Sequence, residues 1–176
     1  MREVLLNNDT AQHTSHQFNR RIQPKTAITN QKNSGRCWIF SFLNMFRYQL
    51  VQQYNLPPEF ELSQNYLAFF DKLEKSYYFL VVVANTRNKN IESRMMHWLL
   101  RSSFSDGGNW NMLVNLINKY GIVPKHAMPE TYHSGNTHSL NMILQQNLKR
   151  MALQIRSQPN LNIAEYLNQQ IFTIYR

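Results

Sequence analysis

Residues 31–42 read QKNSGRCWIFSF and contain Cys37, the single cysteine of the 176-residue chain. Cys37 follows the turn-forming pair Ser34-Gly35 and opens a segment whose apolar residues recur at helical spacing. A thiol reacts as its thiolate, and a helix N-terminus favours that anion through free N–H groups and the helix dipole. Gln31 lies six residues earlier, so its side-chain amide can donate to an oxyanion that forms beside the sulfur. These residues together predict acyl transfer by a cysteine.

The remainder of the chain reads as a series of helices. Apolar residues predict one helix from Cys37 to about Tyr54, which Pro57-Pro58 ends, and Ser63 is a good N-cap for the next. Further helices are predicted at 91–100, from 110 to a stop at Gly121, at 140–155 and after Pro159, with a loop at 133–137. In the second helix we expect a buried aromatic stripe made of Tyr66, Phe69, Phe70, Leu73 and Tyr77. Alternating strand patterns are scarce, so the predicted fold class is mainly α.

The segment 105–110, SDGGNW, is the second informative stretch. Adjacent glycines allow a close backbone approach that a Cβ would block. Taken alone, Asp-Gly-Gly before a helix is equally a simple loop and cap, so a binding role for Gly107 and Gly108 depends on the presence of Cys37.

Five segments, in order, resemble one branch of the papain superfamily of cysteine peptidases, that of bleomycin hydrolase and aminopeptidase C. The likeness is closest from about residue 28 to 132. The segments are ITNQKNSGRCWIFS (28–41), FELSQNY (60–66), FFDKLEKSYYFL (69–80), DGGNWNMLVNLINKYGIVPK (106–125) and PETY (129–132).

The resemblance implies a role for each matching residue. Cys37 would be the nucleophile, Gln31 would donate to the oxyanion hole, and Gly107 and Gly108 would bind the substrate backbone. It also implies a thiol aminopeptidase acting on peptide substrates, with no metal or organic cofactor, that forms a homo-oligomer when full length.

The resemblance further implies an architecture. Papain-like enzymes have a helical lobe with the cysteine and a β-rich lobe with the catalytic histidine and asparagine; this chain matches the helical (left) lobe of that α+β fold. We expect an N-terminal arm at 1–27, the papain-like helical lobe at 28–132 and a helical extension at 133–176, truncated before the β-rich lobe. His126, His133 and His138 lie too soon after the lobe to match the family's histidine, so we expect this chain alone to be inactive.

Other functions are weighed against this one. A non-catalytic peptide- or subunit-binding module is the main alternative. The net charge of +9 is compatible with a nucleic-acid binder, but the basic residues are scattered and match no binding motif. His13 and His16, in the arm, are expected to be solvated rather than catalytic.

Cysteine usage bears on the compartment. Secreted papain-like enzymes carry a second cysteine, for a disulfide, where Ser34 stands here. A single cysteine, no signal-peptide pattern and no apolar run long enough for a membrane span together predict a cytoplasmic protein.

Overall fold

The structure is a computed structural model that describes residues 17–20, 25–101 and 104–175. Over these residues the chain forms seven α-helices and one 3₁₀ turn at Lys125–Ala127, and the β-type pairings are two isolated bridges, Asn33–Asn136 and Leu62–Pro124. The prediction of a mainly α fold is confirmed. The helices are α1 (Cys37–Tyr54), α2 (Gln64–Asn85), α3 (Arg94–Arg101), α4 (Trp110–Tyr120), α5 (Tyr132–Gly135), α6 (His138–Ser157) and α7 (Ile163–Tyr175).

Local sequence signals set several helix ends. Helix α1 ends where Asn55 adopts a left-handed conformation (φ 50°), just before the two prolines. The Ser63 side chain accepts from the Tyr66 N–H at 3.0 Å and caps α2, and Asn109 caps α4 in the same way. Gly121, at φ 75°, ends α4. The predicted bounds of α1, the cap at Ser63 and the stop at Gly121 are therefore confirmed.

Helix α2, the longest of these helices at 22 residues, contributes to two hydrophobic cores. The site core packs α1 and α4 against the first half of α2, and the distal core packs α3, α6 and α7 against its second half. The buried residues of the site core are Ile39, Phe42, Leu43, Leu62, Leu67, Ala68, Leu113 and Leu116. Those of the distal core are Phe79, Leu80, Val83, Met96, Leu99, Phe104, Leu148, Met151, Ala152, Ile155 and Leu167.

Two expectations about local structure are wrong. The predicted loop at 133–137 begins as the short helix α5, because the Thr131 side chain and Ser134 form a reciprocal capping box. The aromatic stripe of α2 is only partly covered: Tyr77 is 41% exposed, whereas the fully buried face of this helix includes Leu67 and Leu80. The stripe lies beside α4, where Phe70 stacks on Tyr120 with ring centroids 3.9 Å apart.

The predicted arm falls largely outside the described residues, which omit 1–16 and 21–24 and therefore His13 and His16. The division into 28–132 and 133–176 stays a prediction. None of the helices in the described ranges is both long and apolar enough to cross a lipid bilayer.

Candidate active site

Cys37 is the first residue of α1, and its side chain is exposed. Arg36, at the N-cap, makes no side-chain capping bond, and its carbonyl accepts from the N–H groups of Ile39 and Phe40, each at 3.0 Å. The first N–H groups of a helix have no partner within the helix and carry its positive dipole end. Cys37 therefore lies at the positive end of the helix dipole, with its side chain open to solvent.

A tight turn precedes the cysteine and contains Gln31. The Lys32 N–H donates to Asn30 Oδ1 at 2.8 Å, and Lys32 adopts a left-handed conformation with φ 52°. The Ser34 hydroxyl donates to the Gln31 carbonyl at 2.6 Å. The turn thereby fixes the backbone of Gln31, whose side chain is partly buried.

The buried side chain of Arg36 holds this turn in place. Its side chain is 2% exposed and donates through both terminal nitrogens to the Glu130 carboxylate, each at 2.9 Å, while its Nε donates to Ser34 Oγ at 2.9 Å. Ser134 Oγ also donates to Glu130, at 2.6 Å. Burial alone would raise the pKa of Glu130, but the hydrogen bonds from Arg36 and Ser134 outweigh it and hold this pKa below its ordinary value.

Backbone bonds join the same turn to the segment around α5. The Asn33 N–H donates to the Gly135 carbonyl at 3.0 Å, and the Thr137 N–H donates to the Asn33 carbonyl at 3.3 Å. The backbone just before Cys37 is thus held by residues about 100 positions later in the chain.

Trp38 brings the glycine loop next to the start of α1. Its indole Nε1 donates to the Asp106 carbonyl at 2.9 Å, and a Cβ built on Gly108 would lie 2.5 Å from the indole ring. Lys75 Nζ donates a hydrogen bond to the Gly107 carbonyl at 2.7 Å. Gly107 itself faces open space, since a Cβ there would meet nothing within 4 Å. The residue that follows Cys37 therefore contacts the loop that contains both predicted glycines.

The carboxylate of Asp106 joins three further elements to this loop. It accepts from the Gly35 N–H at 3.2 Å, from Lys72 on α2 at 2.6 Å, from Thr137 at 2.5 Å and from Asn141 on α6 at 2.9 Å. Burial opposes ionisation of Asp106, but these hydrogen bonds, led by that from Lys72, hold its pKa well below its ordinary range. Asp106 is thus a stable anion at neutral pH.

A groove of about 230 Å³ runs between α1 and α4, beside the cysteine. Its surface is almost wholly apolar. Ser41 lies one helical turn after Cys37, so the groove continues along the face of α1 that carries the thiol. The lining residues are Trp38, Ser41, Phe42, Met45, Asn109, Trp110 and Leu113.

The described histidines lie on the surface. His97, His126, His133 and His138 are all exposed, and within the described ranges none is hydrogen-bonded to Cys37. In the same ranges no group of three or more His, Cys, Asp or Glu side chains is arranged to hold a metal ion. The described residues therefore place an exposed thiol beside the loop of Gly107 and Gly108, without a hydrogen bond from that thiol to a described histidine.

Sequence reasoning missed the residues that hold the site together. Asp106 and Glu130 both lie in segments that carry the family resemblance, but their partners Gly35 and Arg36 are 71 and 94 positions away. The available signal was an isolated acidic residue beside a glycine pair and an arginine directly before the cysteine. Neither feature identifies a partner without the fold.

Known proteins match this chain in sequence. Aminopeptidase C of Listeria monocytogenes is 49% identical over 129 residues, which make up 73% of this chain and 29% of that protein. Bleomycin hydrolase of Gallus gallus is 42% identical over 158 residues, 88% of this chain and 34% of that protein. The chain therefore spans about a third of the length of these relatives.

The fold matches as well. The crystal structure of PepW from Lactobacillus rhamnosis HN001 superposes with a TM-score of 0.89 at 39% identity, and the match covers 97% of this chain and 39% of that one. The model of the Peptidase C1-like family matches residues 1–175 and so includes the extension beyond residue 132. The resemblance drawn from the five segments is confirmed: the chain belongs to the Peptidase C1-like family.

Proposed function

We propose that this chain is the nucleophile-bearing lobe of a cysteine peptidase that hydrolyses peptide or amide bonds through an acyl-enzyme on Cys37. The observation that carries the proposal is the exposed thiol at the N-terminus of α1, joined through Trp38 to the glycine loop. The name of one relative, aminopeptidase C, supports peptides with a free N-terminus as substrates, and the name bleomycin hydrolase supports a hydrolytic reaction.

In the proposed reaction the Cys37 thiolate attacks the scissile carbonyl carbon and forms a C–S bond. The carbonyl electron pair moves onto oxygen, where the Gln31 amide donates a hydrogen bond to the oxyanion. Backbone groups of Gly107 and Gly108 hold the extended substrate. Collapse of the intermediate expels the amine, which needs a proton, and water then cleaves the thioester.

Proton transfer is the step to which we assign none of the described residues. A general base and acid contributes about 10²–10⁴-fold in rate, and no described histidine is bonded to Cys37. We therefore place the catalytic histidine and its asparagine in a β-rich lobe outside this sequence. The 176-residue chain alone is then expected to bind peptides and to be alkylated at Cys37 by thiol reagents, but not to turn over substrate.

The test begins with the native protein isolated from its source, whose intact mass is compared with the 21.0 kDa of this chain. Hydrolysis of fluorogenic aminoacyl amides is then measured for that protein and for its Cys37→Ala and Gln31→Ala variants. We expect Cys37→Ala to abolish turnover and Gln31→Ala to lower kcat by about 10²–10³-fold, the usual loss for one oxyanion donor. Full activity in Cys37→Ala would refute the proposal.

A second candidate function is a non-catalytic peptide- or subunit-binding module. It is favoured by the apolar groove between α1 and α4, where Trp110 is 58% exposed, and by the absence of a hydrogen bond between Cys37 and a described histidine. A native mass equal to that of this chain, with peptide affinity unchanged in Cys37→Ala, would favour the module over the peptidase.

Assembly and location complete the proposal. We expect the full-length protein to form a homo-oligomer in the cytoplasm and to need no metal or organic cofactor; sedimentation and activity after chelation test these points. Nucleic-acid binding has only the net charge of +9 in its favour. It would show as an affinity that falls steeply with salt.

A further inference from the structure

We propose that Asp106 is a positioning residue that locks the turn before Cys37 against the loop of Gly107 and Gly108. The inference rests on the proposed function, because it assigns a purpose to the spacing between nucleophile and substrate backbone. Its evidence is independent of catalysis and lies in the contacts that Asp106 makes.

The side chain of Asp106 is saturated with donors. The Gly35 N–H and the Thr137 hydroxyl converge on Oδ2, at 3.2 and 2.5 Å, while Lys72 and Asn141 converge on Oδ1, at 2.6 and 2.9 Å. An ionised carboxylate offers about four acceptor sites, so no capacity remains for a ligand or for water. The arrangement is that of a structural junction and not of an acid or base.

The main chain of Asp106 extends the junction to the nucleophile. Its carbonyl accepts from the indole of Trp38, the residue after Cys37, while its side chain accepts from Gly35, two residues before Cys37. Asp106 therefore forms hydrogen bonds with the chain on both sides of Cys37. Gly107 and Gly108 follow directly, so their backbone is tied to the same two contacts.

The close approach depends on a glycine at position 35. A Cβ on Gly35 would lie 2.7 Å from Asp106 Cβ, closer than real Cβ contacts allow. Because no positive φ is found at Gly35, alanine would add only this steric conflict. Gly35→Ala should therefore push the two loops apart while every charge stays in place.

An ion-pair role for Asp106 makes a different prediction from a positioning role. Lys72→Gln removes the ion pair but leaves the Gly35, Thr137 and Asn141 donors on the carboxylate. Asp106→Asn keeps the size of the side chain but has one acceptor oxygen for four donors. If Asp106 served only as the partner of Lys72, both variants would loosen the site equally.

The experiment is hydrogen exchange by NMR on the 176-residue chain. The exchange rates of the Gly35 amide and the Trp38 indole N–H are each divided by those of core amides in α6, which removes any change in global stability. In Asp106→Asn we expect both ratios to rise by about tenfold or more. The Gly35 amide loses its charged acceptor, and one charge-assisted hydrogen bond corresponds to about an order of magnitude. The Trp38 indole loses the fixed position of the Asp106 carbonyl to which it donates. In Lys72→Gln we expect both ratios to stay within about threefold of the wild-type values.

Two outcomes overturn the proposal: unchanged ratios in Asp106→Asn, or equal increases in Asp106→Asn and Lys72→Gln. If Asp106→Asn does not fold, the glycine variants decide. Gly35→Ala should raise the exchange ratio of the Trp38 indole. Gly107→Ala should not, because Gly107 faces open space. Equal Trp38 ratios in the two variants would overturn the proposal. Because exchange needs no turnover, this result and the activity of Cys37 can fail separately.

Discussion

Arg36 is a buried cation that, among the described residues, forms an ion pair with one carboxylate, that of Glu130. Glu130→Gln keeps the shape of the side chain but leaves the guanidinium without a counter-charge. We expect the free energy of unfolding to fall by about 2–3 kcal/mol at pH 7, as for other broken buried pairs. Urea unfolding measures the loss, and Glu59→Gln, at an exposed position, should cost no more than about 0.5 kcal/mol.

The pH dependence of this loss has a definite sign. The pKa of Glu130 is lowered in the folded protein, so its contribution is present above the ordinary glutamate pKa of about 4.3 and is lost as the pH falls below it. The gap between wild type and Glu130→Gln should therefore narrow between pH 7 and pH 3.5. A gap of constant size would mean that Arg36 is stabilised by groups other than this carboxylate.

The two adjacent glycines, Gly107 and Gly108, should respond differently to alanine. At Gly108 the new Cβ would meet the Trp38 ring at 2.5 Å, and the ring cannot yield freely because its Nε1 is bonded to Asp106. We expect Gly108→Ala to lose about 1–3 kcal/mol of stability through overpacking. Gly107→Ala, in open space, should stay within about 0.5 kcal/mol.

Tryptophan emission and urea unfolding check this pair. Gly108→Ala should shift the emission of the folded protein because Trp38 is displaced, and Gly107→Ala should leave the spectrum unchanged. Equal stabilities for both variants would show that Trp38 does not hold the loop in solution.

At the scale of single residues, sequence predicts what is local. Cys37 at a helix start follows from the turn before it and the apolar spacing after it. Arg36 pairing with Glu130 does not, because nothing in a linear sequence specifies which of many acidic residues will fold back across 94 positions. The candidate functional residues could therefore be predicted from the sequence, and the residues that hold them in place could not.

Among the helices, α2 carries a buried acid whose ionisation opposes folding. Burial raises the pKa of Asp71 to about 6, although its ion pair with Lys75, at 2.6 Å, works in the other direction. A pKa raised by folding gives stability that is present below the unfolded pKa of about 3.9 and is lost as the pH rises through the folded value.

Asp71→Asn removes this dependence. We compare the free energy of unfolding of wild type with that of the variant at each pH. This difference should favour wild type by about 1 kcal/mol more at pH 5 than at pH 7.5. Urea unfolding at both pH values measures the difference. Glu74→Gln, also on α2, provides the matched control: the pKa of Glu74 is lowered despite its partial burial, by hydrogen bonds from Lys119 and Tyr120, so it should show no such gain at pH 5. If the stability difference between wild type and Asp71→Asn is the same at pH 5 and pH 7.5, Asp71 titrates outside this range.

Helices were predicted well where one signal dominates. The bounds of α1 follow from a regular apolar face and two prolines. In α2 the aromatic residues gave the wrong face, because Phe70 and Tyr66 pack at the partly open contact with α4 while smaller residues fill the core. Side-chain size is a poor guide to burial when a helix has neighbours on several sides.

Across the whole molecule, the site core and the distal core share α2. The first half of this 22-residue helix packs on α1 and α4, and the second half packs on α6 and α7. Because a helix loses cooperative support when either half is exposed, unfolding of one core should take the other with it. The site is thus expected to depend on residues far from Cys37.

Met151→Ala tests this coupling, because Met151 is 1% exposed in the distal core and lies on α6. We expect a loss of about 2–5 kcal/mol, the usual cost of such a truncation. Met142→Ala, on the same helix but with Met142 49% exposed, is the control and should cost no more than about 0.5 kcal/mol.

Two probes decide whether the cores unfold together. In a Trp98→Phe background, fluorescence reports only Trp38 and Trp110, and Trp110 contacts Phe42 of the site core with ring centroids 4.5 Å apart. Far-UV circular dichroism reports all helices. If α2 couples the cores, Met151→Ala shifts both urea transitions by the same amount and they remain superimposed. A fluorescence transition that stays at the wild-type midpoint while the helical signal moves would mean that the lobe around Cys37 holds its structure without α6 and α7.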